Sequence, residues 1–231
     1  MRHRYFRLAA VALALAGYWS PWLTHATAAL RLNGYELSEW VTFLPGVRSG
    51  ELPLSRLLFL LPLACLALLL SLVATRVPVR LAAPPLGQPV ARAPQPRRPG
   101  WAAALPAVAG PWAWPLLGAA ALCAFIILPP YPYILTAFRD PEFQAQFFIA
   151  CSTLLGLLFV AYLPVELKDG LQVLLGAAGT LLGAFALLNV RPVASALLNM
   201  PWPIGLGWGF MLLGFAALAL AGLAQLFGPR E

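Results

Sequence analysis

Six apolar runs decide what this chain can fold into: Leu8–Leu23, Leu54–Thr75, Trp112–Tyr131, Phe143–Leu163, Leu171–Val190 and Ile204–Phe227. A helix crossing the hydrocarbon core of a bilayer needs roughly 20 mostly apolar residues, and each run approaches that length. The runs are continuously apolar, without the period-two alternation of barrel strands, so their backbone polar groups are best satisfied within helices. The chain as a whole is 61% hydrophobic and 10% charged, whereas soluble domains average about 25% charged. This inventory cannot cover a water-facing surface, and it is too apolar for a disordered chain. The expected fold is all-α: a polytopic membrane helix bundle of about six transmembrane helices.

The first run has the outline of a signal peptide, with Arg2, Arg4 and Arg7 ahead of Leu8–Gly17 and an A-x-A site at Ala26–Ala28. That site lies far beyond the apolar region, so an uncleaved anchor helix is expected. Threading follows from the bases. In a six-helix arrangement Arg2, Arg4, Arg7, Arg76, Arg80, Arg92, Arg97, Arg98, Lys168 and Arg230 fall on one side, and Arg31, Arg48, Arg56, Arg139 and Arg191 on the other. The richer side is expected to be cytoplasmic. The acids sharpen this: Glu36, Glu39, Glu51, Asp140 and Glu142 balance the outer bases, leaving the whole net charge of +7 inside. The expectation is a multi-pass protein of the cell (inner) membrane with cytoplasmic N- and C-termini. Its pI of 9.9 is explained by orientation and anionic headgroups of the lipid bilayer, and no nucleic acid partner is expected.

Composition divides the chain. Between the second and third runs, residues 77–100 hold seven prolines and four arginines, a density that blocks helix and sheet and favours an extended cytoplasmic linker. The expected organisation is 1–76 as a two-helix membrane hairpin, 77–100 as linker, and 101–231 as a four-helix membrane bundle. Trp101–Pro111, broken by Pro106 and Pro111, either lengthens the third span or lies at the interface. Tyr18, Trp19, Trp22, Tyr131, Tyr133, Trp202 and Trp208 mark the expected outer aromatic belt. Gly179/Gly183 and Gly205/Gly209 place small residues one turn apart, and Ala10/Ala14 and Ala12/Ala16 form milder versions. Such faces let helix backbones approach, within the chain or against another subunit.

One stretch stands out. "LNGYELSEWVTFLPG", Leu32–Gly46, concentrates acids in a chain with few of them. Asn33 as N-cap puts Glu36 at N3, a capping-box variant. Leu37, Trp40, Val41 and Leu44 then share one face, with Ser38, Glu39 and Thr42 opposite, and Pro45-Gly46 ends the helix. A short amphipathic helix over 33–44, lying at the interface in the first outer loop, is expected. One carboxylate caps and the other faces water; a lid over a ligand, metal binding and acid/base catalysis are the weaker alternatives.

Chemistry within the spans is sparse. Their central stretches hold almost no ionisable side chain, which weighs against proton pumps and ion-coupled carriers. Histidine is limited to His3 and His25, so paired axial haem ligands are lacking. Cys65, Cys123 and Cys151 read as small apolar residues. Glu166–Asp169 reads as a short solvated turn, and Arg139–Glu142 as a charged cluster capping the fourth span or holding a headgroup or partner loop. No catalytic or metal residues are assigned, and no motif names a cofactor. Candidate interfacial or partner contacts are Glu36, Glu39, Trp40, Arg139, Gly179, Gly183, Gly205 and Gly209. In topology alone the layout resembles vitamin-uptake substrate-binding membrane components and permease halves of ABC exporters. The expected function is a non-enzymatic accessory or scaffold subunit of a larger membrane complex, partnered by other membrane protein subunits. The alternative is a transporter component binding an apolar or amphipathic solute or lipid; a lipid-modifying enzyme using the outer carboxylates ranks last.

Overall fold

The computed structural model describes residues 2–25, 30–75, 113–130, 133–197 and 199–227. The expected linker 77–100, the segment 101–111 and the A-x-A site lie outside the described residues. The described chain is predominantly helical, and each apolar run contains a helix: α1 (Arg2–Trp19), α4 (Leu57–Thr75), α5 (Ala113–Ile126), α6 (Gln144–Val160), α7 (Val165–Leu197) and α8 (Leu206–Phe227), with α2 (Gly34–Thr42) and α3 (Pro45–Arg48) between the first two. Three of them, α4, α7 and α8, are long and apolar enough to cross a membrane. Tyr5–Trp19 of α1, α5 and α6 are apolar but shorter; at 1.5 Å per residue, α5 extends only about 21 Å.

Two boundaries differ from the reading of the sequence. Helix α1 ends at Trp19 because Pro21 lacks an amide hydrogen and disfavours helical geometry in the residue before it. The chain then runs extended, and β1 (Leu23–Thr24) pairs antiparallel with β2 (Arg31–Leu32), Leu23 opposite Leu32. Leu23 also bridges Ile204, so a small β ladder joins the otherwise helical fold. Helix α7 does the opposite and runs through Arg191 and Pro192 to Leu197. At about 50 Å it exceeds the roughly 30 Å hydrocarbon core.

Helix α4 occupies the middle. From Phe59 to Ala74 nearly every side chain is buried, as a helix apolar on all sides requires. Helices α1, α2, α5, α6 and α7 pack around it. Helix α1 rests chiefly on α8, and α8 on α7, so elements from before and after residues 77–100 interleave. Outward, Leu122, Phe125, Leu155, Phe159, Leu181, Leu188, Leu213 and Leu220 are exposed, a surface suited to lipid rather than water.

Contacts define two ends. At one, Arg7 lies beside Asp169, Lys168 Nζ donates to the Ala161 carbonyl, and Gly222 approaches the Asp169 carbonyl. At the other, the Gly205 amide donates to the Trp22 carbonyl (2.8 Å) and Arg56 meets Gln146.

Candidate functional site

The stretch rich in acids folds as a capped helix. The Glu36 amide donates to Asn33 Oδ1 (3.0 Å), and the Asn33 amide donates to Glu36 Oε2 (2.8 Å), completing the capping box. The apolar stripe of α2 faces the protein. Leu37 and Val41 are fully buried, Leu44 nearly so, and α2 packs on α4. Trp40 is half-buried with its ring 6.3 Å from that of Trp202. Ser38, expected on the wet face, is buried and donates to the Tyr35 carbonyl (2.6 Å). Burial against α4 and the Trp202 segment removes this stripe from contact with water, so α2 closes the bundle end. Beneath it, Tyr18, Trp22, Phe59 and Trp202 are buried; Trp22 lies 5.8 Å from Tyr18 and 6.3 Å from Phe59. His25 packs 5.2 Å from Trp202.

The two carboxylates of α2 separate in role. Glu36 is exposed. Glu39 is only 35% exposed, and its Oε2 lies 4.0 Å from Arg56 Nη2, which corrects the expectation that it merely faces water. The Arg56 side chain is one-tenth exposed. Its Nη1 donates to Gln146 Oε1 (2.8 Å), Gln146 Nε2 donates to the Ile127 carbonyl (2.8 Å), and the guanidinium lies 5.0 Å over the Phe143 ring. This network fastens α2, the start of α4, the end of α5 and the start of α6 at one level. Burial and the Glu39 carboxylate raise the Tyr35 hydroxyl above its ordinary 10.0 against the opposing pull of Arg56, so Tyr35 adds no charge at neutral pH. Sequence reading counted Arg56 only as an outer base and passed over Gln146. The available signal was an arginine and a glutamine, each at the head of an apolar run.

Beside this network lies a cavity of about 420 Å³ lined by Thr42, Val47, Arg48, Leu54, Ser55, Arg56 and Glu142. A second, of about 660 Å³, lies between the far end of α7 and the start of α8; Leu187, Leu188, Met200, Ile204 and Trp208 give it an apolar lining, with Arg191 and Ser195 as polar groups. Arg191 Nε donates to the Trp202 carbonyl (3.2 Å), and Ser195 Oγ accepts from the Trp202 amide (3.3 Å). The continuation of α7 past Pro192 is what brings these groups to the Trp202 segment.

The other candidate residues do not join these sites. Arg139 is exposed and covers the Phe138 ring at 4.9 Å, while Asp140 Oδ1 accepts from the Glu142 amide (2.9 Å) in the turn before α6. Gly179 faces the Phe215 ring and Gly183 faces Met211, both on α8, and Gly205 abuts the Pro21 carbonyl. Gly179 and Gly205 are committed to packing within the chain, because a side chain there would collide with a ring or with backbone, whereas at Gly183 the neighbour is the flexible end of Met211. Gly209 alone of the four has open space above it. At the opposite end the expected solvated turn is the first turn of α7. Lys168 and Asp169 are buried there, with Asp169 Oδ1 3.8 Å from Arg7 Nη2, and Gln172 Nε2 donates to the Leu218 carbonyl (2.7 Å). Among the described residues no group of three or more His, Cys, Asp or Glu side chains could hold a metal ion. Comparison with known proteins gives no match to a family model, a curated protein or a solved structure.

Proposed function

We propose that this chain is a non-enzymatic accessory or scaffold subunit of a larger membrane complex, threaded six times through the cell (inner) membrane with both termini cytoplasmic. The observation that carries this reading is the position of α4. A solidly packed apolar helix occupies the axis where a carrier would need a solute path. Around it the apolar surface of α5 to α8 offers lipid and neighbouring subunits a broad contact area. Purification in a mild detergent tests the proposal. The protein mass of the particle should exceed the 24.8 kDa of the single chain, with another membrane protein present in fixed ratio. A particle containing one chain and no other protein would refute it.

A second reading, a transporter component for an amphipathic solute or lipid, draws on the 660 Å³ cavity, whose apolar lining with one arginine suits such a molecule. That reading requires a small molecule or lipid bound stoichiometrically to the monomeric particle.

A further inference from the structure

We propose that the 420 Å³ cavity beside Arg56 binds the headgroup of an aminophospholipid, its phosphate held by Arg48 and Arg56 and its primary ammonium by Glu142. The cavity wall carries unused hydrogen-bond donors. Arg56 has nine-tenths of its side chain buried and lines the cavity, yet makes a single hydrogen bond among the described residues, through Nη1 to Gln146. Glu39, at 4.0 Å, is beyond hydrogen-bond distance of it. The guanidinium thus keeps donors for an acceptor in the cavity, and a planar fork of this kind matches phosphate oxygens. Arg48 lines the same cavity and forms no ion pair among the described residues; nor does Glu142. Two cations and one carboxylate around one space call for a ligand carrying both an anion and an ammonium. Ser55 adds a hydroxyl, and Leu54 and Val47 an apolar wall.

Position selects a lipid over a soluble zwitterion. The cavity lies where α4 and α6 begin, at the end of the apolar bundle. Helix α6 starts two residues after Glu142, and Phe148, Leu155 and Phe159 lie exposed along one of its faces. Acyl chains hanging from a headgroup in the cavity would cover that face. The proposal is independent of the accessory-subunit reading, since a scaffold and a carrier can each hold a structural lipid.

Thermal unfolding of the purified chain in detergent, titrated with dioleoyl phosphatidylethanolamine, phosphatidylcholine and phosphatidylglycerol, tests it. Phosphatidylethanolamine should stabilise most. The quaternary ammonium of phosphatidylcholine has no N–H for Glu142, and phosphatidylglycerol has no cation. Arg48→Gln and Glu142→Gln change exposed side chains, so the midpoint without lipid should hold. The phosphatidylethanolamine needed for half the stabilisation should rise about tenfold in each, the loss of one charge-assisted contact. Equal stabilisation by the three lipids, or an unchanged response in both variants, would overturn the proposal. Glycerophosphoethanolamine matching the whole lipid would overturn its lipid component.

Discussion

Ala14 of α1 and Gly214 of α8 meet backbone to backbone: a Cβ placed on Gly214 would lie 2.5 Å from the Ala14 amide nitrogen and 2.7 Å from the Ala10 carbonyl oxygen. Gly17 repeats the pattern one turn along α1, where an added carbon would strike the Met211 backbone. The first and last long helices are therefore joined through small residues, as membrane helices are when no water drives them together.

Gly214→Val should separate these helices and destabilise the purified protein by at least the roughly 1–3 kcal/mol typical of overpacking. Gly209→Ala is the control, because nothing lies within 4 Å of its added carbon. It should be neutral or stabilising by up to about 1 kcal/mol through helix propensity. Unfolding midpoints in detergent measure both; equal losses would contradict the assigned interface.

The network around Arg56 predicts non-additivity. Gln146→Leu leaves the buried guanidinium without its hydrogen bond and the Ile127 carbonyl without its donor. Arg56→Leu leaves Gln146 half unpaired. Each should cost about 3 kcal/mol. The double variant removes both polar partners together and should cost clearly less than the two losses combined. Additive losses would mean that the two side chains do not support one another.

How much of this was legible depended on sequence distance. The capping box of Asn33 and Glu36 is local, three residues apart, and could be read directly. All six apolar helices could be read because their signal is composition. Which glycine faces which neighbour could not: Gly179 and Phe215 meet only once α7 and α8 are packed. Arg56 and Gln146 are separated by 90 positions, so a charge tally placed the arginine on a side without revealing that it is buried. Lys168 and Asp169 looked solvated because a charged turn between apolar runs usually is; here α7 starts early enough to bring them under α1 and α8. Pro192, which ordinarily ends a helix, hid the continuation of α7.

Three substitutions in α2 distinguish a structural helix from a ligand-gripping one. Trp40→Ala removes a half-buried ring packed near Trp202 and should cost roughly 1–3 kcal/mol. Glu36→Gln retains a side-chain acceptor at N3 and should be nearly silent. Glu39→Gln loses a partly exposed ion contact and should cost about 0–1 kcal/mol. A Glu36→Gln protein of unchanged stability that loses a partner or ligand seen with the native chain would show that α2 acts in recognition.

Membrane threading yields the last prediction. Helix α1 is shorter than a full span, yet its start lies beside Asp169 at the beginning of α7. The Trp22 carbonyl just beyond its end accepts from the Gly205 amide at the beginning of α8. A helix touching the start of α7 and the start of α8 runs the distance between those two ends, so it should cross if they do. Helix α6 follows α4 in the same way: Gln146 and Arg56 share one network at one end, and the Ser71 hydroxyl donates to the Leu157 carbonyl near the other (3.5 Å). If α4 crosses, α6 crosses with it, and the chain between Thr75 and Ile127 must return to the Arg56 level. Single cysteines replacing exposed Glu51, Leu135 and Glu166 in a background lacking Cys65, Cys123 and Cys151 provide the measurement. An impermeant maleimide added to intact cells should label positions 51 and 135 and spare 166 until the membrane is opened. Protection of 135 would show that α5 and α6 do not cross, and labelling of 166 from outside would overturn this threading.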